Sequence, residues 1–278
     1  PSPFKDAVIL TLDGVGEWAT TTVAVGDKNK LEIIKEIHFP HSLGLLYSAF
    51  TYYSGFKVNS GEYKLMGLAP YGKPIFKDLI IDKLLDLKID GSFKLNMKYF
   101  NYATGLTMTN NNFSKLFGNP VRDSKKDLLK EFHMDIAASI QAVTEEIILR
   151  LTKSLSKEFN VKNLCLAGGV ALNCVANGKI LKEKVFENIW IQPAAGDAGG
   201  SLGAALAYWH HELKMPRNEY KDQMKGSYLG PRLENNSIED KLKNLKASYK
   251  KLNSSEIILT TAKELSREKT VGWFQGRM

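Results

Sequence analysis

With 278 residues, 44% of them hydrophobic, the chain can bury a full core and has room for about two domains. Its formal charge of +8 brings nucleic acid to mind, but only six of its 38 basic residues are arginine, the residue that base readout and stacking favour, and the lysines are scattered. A generic basic surface is therefore expected, and nucleic acid is not the expected main partner. Two cysteines, Cys165 and Cys174, make neither a disulfide framework nor a zinc site, which predicts a reducing cytoplasm. No apolar run is long enough for a bilayer, and there is no signal peptide, so no membrane role is expected.

Residues 7–12 (AVILTL) form a short apolar run that predicts a buried strand. Residues 13–18 are a turn and residues 19–25 a β-rich return strand, so the pair predicts a hairpin with an acidic, glycine-bearing tip. A further strand is expected over 31–38 and a helix over 41–53, with Leu45, Leu46, Ala49 and Phe50 at helical spacing. Residues 61–73 (GEYKLMGLAPYGK) predict a compact loop. Over 74–127 the pattern weakens, which predicts one short helix and an irregular surface segment. The clearest helix is 133–159, where Ile136, Ile140, Val143, Ile147, Leu151 and Leu155 recur every three or four residues.

Beyond it the order is strand (163–167), Gly-Gly, helix (from about 171 past 180), strand (189–192), Gly-Asp, helix (201–208). This predicts an α/β arrangement with ligand loops at the strand ends. Residues 221–230 resemble a linker, 237–251 a charged helix, and 256–278 the start of a further unit. The chain opens on Pro1-Ser2-Pro3 without Met and stops just after a strand-like run at 271–274, so it is read as a fragment whose exposed cut edge leaves room for a homodimer.

Three glycine-rich loops hold the candidate chemistry. In Asp13-Gly14-Val15-Gly16-Glu17, Gly14 and Gly16 would present backbone N–H groups to phosphates and Asp13 would hold a metal or its water; an ordinary Asp-Gly turn is the competing reading. Gly168-Gly169 lies between a strand and a helix, which suits phosphate binding or merely close packing. Asn173 follows, either touching a ligand or facing solvent, and Cys174 is expected in the core. Gly196-Asp197-Ala198-Gly199-Gly200 again joins strand to helix, with Asp197 as a ligand or simply an N-cap. Two carboxylates on facing loops suit Mg²⁺ or, with histidines, Fe²⁺ or Zn²⁺. His38 and His41 read as surface or substrate-side groups, His210 and His211 as helix-dipole partners, and Lys64 as an anion contact or a plain surface lysine.

The strings 13–20 (DGVGEWAT), 62–72 (EYKLMGLAPYG), 166–173 (LAGGVALN) and 192–203 (QPAAGDAGGSLG) together resemble the O-carbamoyltransferases of the nodulation-protein and antibiotic-tailoring type, such as the tobramycin and cephem enzymes. Residues 272–278 resemble the start of that family's C-terminal domain. The resemblance implies a two-lobed fold of the actin, sugar-kinase and Hsp70-ATPase type over residues 1–225. It also implies a linker and the start of a YrdC-like α+β domain over 226–278. It implies that carbamoyl phosphate and ATP give a carbamoyl-adenylate, whose carbamoyl group passes to an acceptor hydroxyl. Asp13 and Asp197 match the family's metal-binding aspartates, with iron the implied metal and Mg²⁺ the alternative. Gly168, Gly169, Val170 and Asn173 match the nucleotide loop and Gly14 and Gly16 the phosphate-side turn, and Gly199 and Gly200 are further nucleotide-binding candidates. The family's His-x-x-x-His pair occurs nowhere in this sequence, so the chain alone is expected to be inactive. Glu17 and Lys64 are the candidate catalytic side chains. A sugar kinase, a regulatory ATP-binding module and a tRNA-modifying relative are the rival readings.

Overall fold

The structure is a computed structural model describing residues 1–217 and 220–278. Its first compact unit spans residues 1–223. A five-stranded mixed sheet lies at its centre, in the order β3-β2-β1-β6-β7. Strands β1 (Asp6–Leu12), β2 (Ala19–Asp27) and β3 (Lys30–His38) form an antiparallel meander. Strands β6 (Asn163–Ala167) and β7 (Asn188–Ile191) continue the sheet in parallel with β1.

Alternation along β1 decides what each sheet face does. Val8, Leu10 and Leu12 are buried, while Ile9 and Thr11 point to the other side and are only half-buried. The buried set joins Leu164 and Leu166 of β6 in one core with helices α1 (Leu43–Tyr53), α5 (Glu131–Phe159) and α6 (Cys174–Lys182). All six periodic residues of the long helix, from Ile136 to Leu155, are buried as their spacing predicts. Ser42 caps α1, its Oγ accepting from Leu45 N at 3.0 Å.

The structure is more ordered than expected between residues 61 and 127. Residues 61–73 are not loop: α2 (Glu62–Leu68) runs into a 3-10 turn (Ala69–Tyr71). Then come α3 (Lys77–Leu84), a hairpin of β4 (Leu85–Leu87) and β5 (Phe93–Leu95), and α4 (Asn111–Phe117). The segment's anchor is aromatic: Phe113 and Phe117 pack against Phe50 and Tyr53 of α1, with centroids 4.9–5.8 Å apart across the group. These contacts join residues far apart in sequence, which a local pattern does not display.

Downstream, residues 169–172 form a separate 3-10 turn before α6, and α7 (Ala198–Ala207) begins three residues earlier than expected, so Gly199 and Gly200 are helical. Both cysteines are free thiols; Cys165 is the buried one, and Cys174 is exposed rather than in the core. The second unit, residues 224–278, holds α8 (Asn235–Asn244) and α9 (Ser254–Leu265). The charged helix is shorter than expected, and residues 271–274 form no strand. Among the described residues no helix is long and apolar enough to cross a membrane.

Candidate active site

The half-buried face of the sheet floors an open cleft of about 1380 Å³. Ile9 and Thr11 of β1, Thr22 of β2 and Ala167 of β6 lie on the floor; Asp13, Gly16, Glu17, Gly168 and Asp197 stand at its wall. On the floor Thr11 and Thr22 share a hydroxyl–hydroxyl hydrogen bond of 2.6 Å. The cleft's Asp13 and Gly168 wall lies at the carboxyl ends of β1 and β6, where open α/β sheets take their ligands.

The three glycine loops are joined to one another by hydrogen bonds. Asp13 Oδ1 accepts from Gly14 N at 2.8 Å and from Gly169 N at 3.2 Å. Gly168 N donates to Ala195 O at 2.8 Å, which ties the middle loop to the one bearing Asp197. Only glycine fits at 168. Its φ is +87°, and a Cβ there would lie 2.2 Å from the carbonyl oxygen of Leu12. The first turn of α1 closes the back of the Asp13 loop: Ser42 Oγ donates to Asp13 O at 2.8 Å. A Cβ on Gly44 would fall 2.6 Å from that same oxygen. Ser42 and Gly44 were not legible as site residues, although the Ser-x-Gly start of a helix is the signal that locates them.

The glycine N–H groups are turned inward. Gly16 N bonds Ala19 O at 3.1 Å, Gly199 N bonds Gly196 O at 3.0 Å and Gly200 N bonds Asp197 O at 3.0 Å. With Gly14, Gly168 and Gly169 already engaged, a phosphate reaches these six donors only by exchanging existing bonds. What the loops leave open is space. A Cβ on Gly14, Gly196, Gly200 or Gly203 would meet nothing within 4 Å, and the last three line the cleft. Glycine inside a helix costs about 0.5–1 kcal/mol relative to alanine, so packing does not account for Gly200 and Gly203 in α7.

Asp197 stands before α7 without a side-chain capping bond, so the N-cap reading does not hold in this structure. Asn173 neither faces solvent nor lines the cleft; it is buried and caps α6 through Ala176 N at 3.1 Å. Val170 also lies outside the cleft lining. Lys64 is exposed on α2, its Nζ 5.8 Å from the Tyr63 ring centroid, and the structure does not bring it to the cleft.

The histidines divide the same way. His38 reaches the cleft and bonds Glu36 at 2.8 Å, whereas His41 is structural: its Nδ1 accepts from Leu95 N at 3.1 Å and holds the β4–β5 hairpin. Burial, and then Lys94, hold the His41 imidazole below its ordinary value, so it stays a neutral acceptor. Cys165 also borders the cleft, but burial pushes its thiol up, which favours the thiol over the thiolate at neutral pH. Asp13 and Asp197 supply carboxylate oxygens of the kind Mg²⁺ takes together with phosphates and water. An iron or zinc site needs further donors: among the described residues no group of three His, Cys, Asp or Glu could hold an ion.

A mixed α/β sheet with glycine-rich loops at its strand ends is an architecture on which many different functions are built. Sequence comparison narrows this to one family. Residues 1–206 match the profile described as the carbamoyltransferase N-terminus, and the chain belongs to the carbamoyltransferase family. It is 61% identical over its whole length to the uncharacterized protein sll1178 of Synechocystis, covering 46% of that protein. It is 31% identical over 99% of its length to nodulation protein NolNO of Sinorhizobium fredii, covering 38% of it. Against nodulation protein NolO of Bradyrhizobium diazoefficiens it is 30% identical, again over 99% of its length, and covers 48% of that chain. The chain thus spans less than half the length of these relatives.

Proposed function

We propose that the protein moves a carbamoyl group from carbamoyl phosphate, through an ATP-derived carbamoyl-adenylate, to a hydroxyl of a sugar or secondary metabolite in the cytoplasm. The observation that supports this most is the hydrogen-bonded junction of the three loops, with Asp13 and Asp197 on the wall of one cleft. Family membership supplies the group transferred. In the transfer step the acceptor oxygen bonds the carbamoyl carbon, the carbon–oxygen bond to phosphate breaks, AMP leaves, and the acceptor proton passes to a base. Glu17, exposed on the cleft wall, is the carboxylate we assign to take that proton. Lys64 has no part in this reading.

The sheet order, a three-stranded antiparallel meander joined to parallel strands, supports an actin-like ATPase fold for residues 1–223; the YrdC-like reading of the following residues rests on the family resemblance alone. The open space over Gly196, Gly200 and Gly203 supports close approach of the nucleotide along α7. A divalent cation would take oxygen ligands from Asp13 and Asp197 and act there as a Lewis acid beside the phosphate. Mg²⁺ suits these two carboxylates, and Fe²⁺ would require imidazole ligands beside them, which the described residues do not assemble into a group of three. The unpaired outer edge of β3 supports homodimer formation.

The test is incubation of the full-length gene product with ATP and carbamoyl phosphate, following pyrophosphate and ADP separately. Pyrophosphate release that depends on carbamoyl phosphate is expected, and Asp197→Ala should abolish transfer to an acceptor while the protein stays folded. ADP without pyrophosphate would replace this reading with a phosphotransferase, and normal transfer by Asp197→Ala would remove the metal role.

A further inference from the structure

Behind the Gly168–Gly169 loop, outside the cleft lining, four buried polar side chains from three helices form a closed network: Tyr47 of α1, Gln141 and Glu145 of α5, and Asn173 at the start of α6. Gln141 is its centre. Its Oε1 accepts from Tyr47 Oη at 3.0 Å and from Asn173 Nδ2 at 2.9 Å. Its Nε2 donates to Asn173 Oδ1 at 3.1 Å and to Glu145 Oε1 at 2.9 Å. The side-chain amide therefore makes all four of its hydrogen bonds. Lys179 of α6 closes the far side on Glu145 Oε2. Burial, followed by the Glu145 and Glu62 carboxylates, pushes the Tyr47 phenol up, so it remains a donor at any physiological pH.

A buried amide pair joined by two hydrogen bonds fixes geometry, because a departure strands polar groups away from water. What this one fixes is the 3-10 turn over Gly169–Leu172. That turn is a single short piece with i→i+3 bonds, and it cannot hold its own orientation. Its near end is Gly169, whose N–H meets Asp13 Oδ1; its far end is Asn173, which Gln141 grips with two bonds. Asn177 adds a clamp, Nδ2 donating to Ala171 O at 2.7 Å.

We propose that Gln141 is a positioning residue for the Asp13 carboxylate. It acts through Asn173 and the 169–172 turn, so that α5, the longest helix of the unit, sets the direction in which Asp13 presents its oxygens to the cleft. Asn173 then serves the site from behind and not by touching the ligand. The proposal rests on the reading that Asp13 belongs to the transfer site, and its test separates the two.

The experiment compares Gln141→Leu and Tyr47→Phe with the wild type in the full-length protein, by residue-resolved amide hydrogen exchange and by the kinetics of ATP-dependent carbamoyl transfer. In Gln141→Leu, exchange at Gly169 should speed up roughly tenfold or more while α5 keeps its protection. The kcat should fall roughly tenfold or more, with the KM for ATP within about twofold of wild type. Tyr47→Phe, which loses one hydroxyl, should move both readouts the same way by less, and it carries the test if Gln141→Leu fails to fold. Unchanged exchange at residues 168–172 would overturn the proposal. So would faster exchange spread evenly through α5, or a kcat that is unchanged below the unfolding temperature. If the wild type transfers no carbamoyl group but Gly169 still loosens in the variant, the positioning contact stands and the carbamoyl-transfer reading falls.

Discussion

Gly168→Ala probes a very close approach, where the end of β6 turns against the end of β1. The residue has φ +87° and ψ 157°, a region essentially reserved for glycine, so a side chain there costs about 1–3 kcal/mol in backbone strain alone. The new Cβ would also stand 2.2, 2.5 and 2.7 Å from Leu12 O, C and N, all backbone atoms of a strand paired on both sides. Relieving such a clash costs a further ~1–3 kcal/mol. The expected loss is therefore about 2–6 kcal/mol. At roughly 2–4 °C per kcal/mol for a unit of this size, that corresponds to a fall of roughly 4–24 °C in Tm. Urea unfolding at constant m-value measures it. Gly178→Ala is the control: it lies inside α6 with nothing within 4 Å of its Cβ, so it should stabilise by about 0.5–1 kcal/mol. A loss below about 1 kcal/mol for Gly168→Ala would refute the steric argument, because the strain term alone reaches that figure.

Asp13→Asn keeps an oxygen for Gly14 N and Gly169 N but removes the charge. Stability should change by less than about 1 kcal/mol, while transfer falls roughly a hundredfold or more; wild-type turnover would show that the charge is not needed. Phe113→Ala removes the fully buried centre of the aromatic group and should cost about 3–5 kcal/mol in urea unfolding, with a near-neutral result meaning that the 74–127 segment does not depend on it. His41 and His133 are both held below the ordinary histidine value, chiefly by burial, and each accepts a backbone N–H on its Nδ1. Their depressed folded-state values mean that the unfolded chain binds the protons first as pH falls. Stability should therefore be flat above about pH 6.5 and should decline below it until the folded-state values are passed. Unfolding midpoints at pH 7.5 and 5.5 test this, and the slope should flatten in the His41→Asn, His133→Asn double variant.

The amino-acid pattern by itself determined the elements whose signal is local and repeated. Strand β6 falls where the apolar run NLCLA places it, and α5 buries the six residues its period selects, because each periodicity is the geometry of the element itself. The glycine loops were likewise legible at the strand ends, together with the family they mark. Tertiary structure alone decided how the loops are used. That Gly14, Gly168 and Gly169 spend their N–H groups on Asp13 and Ala195 depends on partners up to 156 residues away. The same holds for Asn173 and Cys174, neighbours at the head of α6. One step along the chain turns the first into the buried amide pair with Gln141 and the second to the surface, and only the position of α5 fixes which is which. Residues 74–127 escaped the sequence reading for that reason: their elements are too short to show a period, and what orders them is an aromatic cluster assembled from distant parts of the chain.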